Sequence, residues 1–142
     1  MACTKKFLRN RWQREYRLKN RIVLLKKRRK YEKNRRKKDP IFRMQRNMSS
    51  AMSSAISGFR KSQRTMDIIG CSVEELFKHF ESCSSWEPWM TKENYGKNGW
   101  DADHIIAITN WDYSCPLQFA LCWDKSNLQP MEHIANIKKG NK

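Results

Sequence analysis

The chain reads as an α+β protein, with a mainly helical N-terminal half followed by a C-terminal strand–loop–strand–helix unit. Three observations predict this. Residues 1–46 hold 20 of the 30 Lys+Arg but 3 of the 14 Asp+Glu, a balance of +17, which leaves −1 for residues 47–142. Apolar residues recur at helical spacing from Ile41 to Phe59. The last third changes character, with a Trp-, Pro- and Asn-rich irregular stretch, two short strand-like runs and a terminal helix.

Residues 1–38 are helix-prone and almost wholly polar. Spacings such as Leu8–Trp12–Tyr16 and Leu18–Ile22–Leu25 make a narrow apolar stripe, too thin to fold the segment alone. Repulsion among its cations opposes compaction, so the arm is expected to be a solvated basic tail that becomes helical on phosphates. Asp39-Pro40 then punctuates the chain. A helix follows over residues 41–60, with Ile41, Phe42, Met44, Met48, Met52, Ile56 and Phe59 along one face and Gly58 near its end. Its methionines are expected to be packing surface. Arg43, Arg46, Arg60, Lys61 and Arg64 could extend the basic surface.

Residues 65–71 read as a linker. Ser72-Val-Glu-Glu75 is a capping box opening a helix to about Ser82, with Val73, Leu76, Phe77 and Phe80 facing a core and His79 as a surface or packing residue. Residues 84–99 are irregular. A strand is expected over Gly99 to Ile108, a short helix near Pro116 to Cys122, a second strand over Leu128 to Met131 and a last helix over Glu132 to Lys139, stopped by Gly140. The resulting order is ββα. Trp86, Trp89, Tyr95, Trp100, Trp111 and Trp123 are expected to supply its core, with one or two free to stack on bases. Three segments result: 1–46, a basic nucleic-acid-binding arm; 47–83, a helical connector; and 84–142, the ββα unit.

The charge identifies the partner class. A segment this cationic is drawn to polyanions, nucleic acid first and an anionic membrane surface second, with affinity that falls steeply as salt rises. DNA is the expected partner, and RNA stays open because phosphate contacts do not distinguish the two. Candidate contacts are Lys26, Lys27, Arg28, Arg29, Arg35, Arg36, Arg43 and Arg46, with Lys138 and Lys139 from the last helix. No membrane insertion and no small-molecule cofactor are expected. The five cysteines (Cys3, Cys71, Cys83, Cys115 and Cys122) form no C-x-x-C pair, so structural zinc is not expected. With no secretory signal, the thiols are read as reduced and the protein as intracellular, in host cytoplasm or nucleoid. The run Lys26–Lys30 leaves nuclear import open.

The chemistry lies in Trp100-Asp-Ala-Asp103-His104-Ile-Ile, Asn127-Leu-Gln-Pro130 and Asn136-Ile-Lys-Lys139-Gly140. Asp103 and Asn136 offer hard oxygens to a divalent cation, and the neutral imidazole of His104 can take a proton from water. On a regular strand Asp103 and His104 point to opposite faces, so both serve one site only if the strand distorts or ends there. His133 starts the last helix, three residues before Asn136, and is expected to be exposed.

These segments resemble the HNH (ββα-metal) nucleases, specifically a branch common in phage and viral genomes. Ile69-Gly-Cys-Ser-Val-Glu-Glu-Leu76, Trp89-Met-Thr-Lys-Glu-Asn-Tyr-Gly96 and the basic leader before Asp39-Pro40-Ile-Phe are similar to it as well. The resemblance implies a C-terminal ββα-metal unit that hydrolyses phosphodiester bonds in DNA, in a phage, viral or homing-type enzyme. It implies one divalent cation, Mg²⁺ first and Mn²⁺ second, held by Asp103 and Asn136. His104 would be the general base, Asn127 would brace the loop that presents it, and Lys139 would meet a phosphate. Two departures from the branch stand out. Asp101-Ala102 stands where it usually has His-Ile, and Ala107 where it usually has Pro. A catalytically weak or silent nucleic-acid-binding or packaging protein is therefore the alternative.

Overall fold

The computed structural model describes residues 2–55, 64–96 and 99–140. The expected helix positions Ile56, Gly58, Phe59, Arg60 and Lys61 lie outside the described residues, as do the side chains of residues 1–8. The chain divides into two compact units, residues 1–38 and 39–142.

The first unit is α1 (Ala2–Lys19) and α2 (Arg21–Lys38). Eleven of the 18 residues of α2 are Lys or Arg, spread around the whole helix, and none of its side chains is buried. A helix that is polar all round has no face to bury, so its support is local. Ion pairs one turn apart, Arg11–Glu15 at 3.1 Å and Arg28–Glu32 at 3.0 Å, contribute a few tenths of a kcal/mol each (about 0.2–0.5). Trp12 and Tyr16 stack at 5.4 Å, and both are exposed.

The second unit opens with α3 (Pro40–Ala55). Asp39 caps it, its Oδ1 accepting from the Phe42 N–H at 2.9 Å, and Pro40 takes the first-turn position where its missing N–H costs nothing. The boundary expected after residue 46 falls inside this helix. Met44, Met48 and Met52 form one stripe and are buried. Residues 65–71, expected to be a linker, contain the short helix α4 (Thr65–Ile69), closed by Gly70 at φ +80°. Next comes α5 (Val73–Ser82). Its capping box is complete, with the Glu75 N–H donating to Ser72 Oγ and the Ser72 N–H to the Glu75 carboxylate.

The ββα unit consists of β1 (Trp100–His104), α6 (Pro116–Trp123), β2 (Leu128–Glu132) and α7 (His133–Lys139). The strands pair antiparallel, Trp100 opposite Glu132 and His104 opposite Leu128. Trp100 is fully buried at the centre of the core. Phe77, Phe80, Trp86 and Tyr95 meet it edge-on at 5.0–6.0 Å, and its Nε1–H donates to the Thr91 carbonyl at 2.8 Å. Gly99 is required just before it, because a Cβ there would fall 1.8 Å from the Asn94 carbonyl oxygen. The aromatics expected in the core divide: Trp100, Trp123 and Tyr95 are buried, Trp86 and Trp111 half-buried and Trp89 exposed.

β1 ends at His104, four residues short of the expected Ile108. Ile105 N–H still donates to the Asn127 carbonyl at 2.8 Å, but the Asn127 side chain then captures the backbone of Ile106, and a 3-10 turn follows at Ile108–Asn110. Ala107 has φ −55°, the angle a proline would fix, so the turn keeps that shape without one.

Trp100→Ala should cost about 3–5 kcal/mol, whereas Trp89→Ala, at a 44 % exposed position, should cost under about 1 kcal/mol. Urea denaturation of both variants checks this.

Candidate functional site

Alternation along β1 puts Trp100, Ala102 and His104 on one face and Asp101 and Asp103 on the other. The first face meets the aromatic core. The second meets α7, whose His133, Asn136 and Lys139 recur every three residues. His133 Nδ1 is 2.5 Å from Asp101 Oδ2, and Lys139 Nζ is 2.5 Å from Asp103 Oδ2. Each β1 carboxylate thus has a basic partner on the helix. Gln129, opposite Asp103 in the ladder, donates to the same Oδ2 at 3.0 Å. The start of α7 is pinned as well, the His133 N–H donating to the Gly99 carbonyl at 2.9 Å.

Although the alternation sets Asp103 and His104 on opposite faces, β1 ends at His104 and both residues reach one cavity. Asp103, His104, Asn136 and Lys139 line one cavity of about 180 Å³, closed by Met48, Ala51, Ala107, Ile108 and Trp123. Asp103 and His104 are 7 % and 8 % exposed. The His104 ring meets Trp123 edge-on at 4.6 Å. Its Nε2 is buried with no hydrogen-bond partner among the described residues, and the same holds for the Trp123 Nε1–H. Burial pushes the His104 pKa down to about 4; Asp103 opposes the shift and Lys139 adds to it. At neutral pH the imidazole is uncharged, with a lone pair or N–H left unused by the fold.

Asn127 is buried and fully engaged. Its Oδ1 accepts from the Ile106 N–H at 2.8 Å, and its Nδ2 donates to the carbonyls of Ile106 and Cys122 at 3.2 and 2.9 Å. It clamps the turn that follows His104, and these hydrogen bonds go to backbone groups of Ile106 and Cys122.

Asp103 and Asn136 are the lining residues that could give oxygen ligands to a hard divalent ion; Mg²⁺ takes few protein ligands and keeps several waters. Among the described residues no three His, Cys, Asp or Glu side chains come together. Asp103 Oδ2 is engaged by Lys139, so an ion must share or replace that contact.

The basic residues fall into different settings. Lys26, Lys27, Arg28, Arg29 and Arg35 are exposed on α2, Arg36 is half-exposed there, and Lys138 is exposed on α7. Arg43 is different, its guanidinium donating to the Lys92 and Glu93 carbonyls at 3.2 and 2.7 Å and tying α3 to the 92–93 turn. Arg46 is half-buried. Both are built into the second unit's packing, unlike the α2 cations. His79, expected to be a surface or packing residue, has its Nε2 2.9 Å from the Leu128 carbonyl. His133, expected to be exposed, is instead half-buried against Asp101. Sequence reasoning missed His133 and Gln129 as supports of the carboxylates, and Trp123 as the wall behind His104. A three-residue repeat on α7 facing a two-residue repeat on β1 is the signal that could have found His133.

The chain is 28 % identical over 118 residues to the uncharacterized protein L246 of Acanthamoeba polyphaga mimivirus, a match covering 83 % of this chain and 50 % of the viral protein. The chain thus spans about half the length of the curated relative it matches. No protein-family model matches it, and no solved structure does. Among the described residues no helix is long and apolar enough to cross a membrane.

The His104 environment sets a pH dependence. In the unfolded chain the ring titrates near ~6.5, and in the folded protein near 4. Between those values the unfolded state binds more protons, so stability falls as pH drops from about 6.5 towards 4 and is fully present above 6.5. The contribution is on the order of 3 kcal/mol at most. His104→Gln should flatten this decline. Urea midpoints of both proteins at neutral and mildly acid pH check it, and parallel declines would refute a neutral buried imidazole.

Proposed function

We propose that the protein is a metal-dependent DNA endonuclease of the HNH (ββα-metal) kind. One observation carries the reading: Asp103, His104 and Asn136, named from their motif positions, line a single cavity that also holds an unpartnered imidazole nitrogen. The charge distribution supports a polyanionic substrate. Residues 1–38 hold 18 Lys+Arg against 2 Asp+Glu, and residues 39–142 hold 12 of each, so the whole net charge belongs to the first unit. The match to a viral protein agrees with a viral setting.

In this reading the residues divide the work. Asp103 and Asn136 would hold the ion, which would supply stabilisation of the charge developing on the phosphate. His104 receives the proton of the attacking water at Nε2, the atom left unpaired by the fold. Burial keeps it neutral and ready to accept, although a base near 7 would drive the transfer harder. Trp123 fixes the ring plane and Asn127 fixes the backbone after it. Phosphate contacts along α2 supply affinity without sequence information.

A nucleic-acid-binding protein without catalysis is the second reading. The Asp103–Lys139 pair favours it, because it neutralises the carboxylate with no ion at all. RNA in place of DNA is a variant of either reading, tested by competition between duplex DNA and structured RNA at several salt concentrations.

Supercoiled plasmid with Mg²⁺ or Mn²⁺ should be nicked, and His104→Ala should slow nicking about 10²–10⁴-fold while leaving DNA binding intact. Equal silence of both proteins across metals, with binding retained, selects the second reading. Deleting residues 1–38 should weaken DNA binding and flatten its salt dependence by about 0.9 in log–log slope for each phosphate the arm neutralises. An unchanged slope would place the phosphate clamp elsewhere.

A further inference from the structure

Lys139 occupies ground that a divalent cation would claim. Its ammonium lies 2.5 Å from Asp103 Oδ2 and 2.7 Å from the His104 carbonyl oxygen. These are two hard oxygens, one of them charged, at a carboxylate that is 7 % exposed. Such a carboxylate, left alone, would be costly to bury, and removing the partner of a buried ion pair is strongly destabilising. A lysine ammonium and a small divalent ion ask for the same ligands, and Oδ2 already accepts a second hydrogen bond, from Gln129 at 3.0 Å. Close approach of two cations to one oxygen in a half-enclosed cavity is strongly repulsive.

Other features suit Lys139 to exchange. It is the last residue of α7, and its side chain is 22 % exposed on a flexible stem, so the ammonium can leave Asp103 by side-chain rotation alone. The helix C-terminus favours a cation remaining close by. Asp103 Oδ1 takes no hydrogen bond among the described residues, so the carboxylate is not sealed by its partners. Asn136, three residues earlier on the same helix, lines the same cavity and can supply a second oxygen once the ammonium has moved.

We propose, on the basis of the cation reading above, that Lys139 is a built-in placeholder. It neutralises Asp103 while no ion is bound, and it competes with the divalent ion for that carboxylate, so the site loads by displacing it. Lys139 is then a positioning residue that sets the ion concentration at which the site fills, separate from any contact it makes with a phosphate.

The test is Mn²⁺ binding, followed by calorimetry and by the electron paramagnetic resonance signal of free Mn²⁺, on the full chain without nucleic acid. Wild type should bind one ion. K139Q, which removes the competitor, should bind it on the order of 10-fold more tightly. K138Q, which removes an exposed charge one residue away, should change the affinity less than about twofold. D103N should abolish binding with or without K139Q. Unfolding midpoints give a second readout: metal-free K139Q should melt below wild type, and Mn²⁺ should raise it more than it raises wild type. Equal or weaker Mn²⁺ binding by K139Q overturns the placeholder and leaves the cation site standing. An equal gain from K138Q reduces the effect to general charge and also overturns it. No Mn²⁺ binding by either wild type or K139Q overturns the cation site itself and the placeholder with it.

Discussion

Burial of Trp100 is the constraint on which the second unit depends. Once that indole is surrounded by Phe77, Phe80, Trp86 and Tyr95, the pleat of β1 has no freedom left. Trp100 inward forces Asp101 and Asp103 to the other face, and two carboxylates on one face of a strand must be answered. The answer is α7, whose spacing brings His133 and Lys139 to them. A one-residue slip would send the acids into the aromatic core, so the register is held from both sides. The site is in this sense a by-product of core packing: the carboxylate, the imidazole and the helix arrive together or not at all.

Much of this was legible in the sequence because the signals were local. Met44–Met48–Met52, the Ser72–Glu75 box and the Val73–Leu76–Phe77–Phe80 face are patterns within one helix, and all three take the expected form. The ββα order followed from two short strand runs and the Gly140 stop. What escaped was set by contacts distant in sequence. β1 stops at His104 because a side chain 21 residues on from Ile106 takes over the ladder. Arg43 turns inward to carbonyls about 50 residues away, where its neighbours in sequence suggested an open basic surface. α4 was missed for a different reason. It has no side-chain cap at Arg64 and only five residues, and it is held by burying Thr65 and Ile69, not by its own propensity.

At the site, the motif named the residues but not their present partners. Asp103 belongs to an ion pair, His104 is dehydrated and neutral, and Asn127 works only on backbone. These settings bear on chemistry in opposite ways. An imidazole with an unused nitrogen is available, while a carboxylate with a resident ammonium is conditional. Asp101 and Ala107, where the chain departs from the branch it resembles, are both absorbed by the fold, one by His133 and the other by a backbone angle that suits proline and alanine alike.

The charge division has a consequence for the molecule in solution. Residues 39–142 carry no net formal charge and expose Ile105, Ile106, Ile134 and Ile137. Colloidal stability therefore comes from the arm, since near-zero net charge favours self-association. Neutralising the arm's charge would remove that repulsion between copies and leave the exposed isoleucines freer to associate.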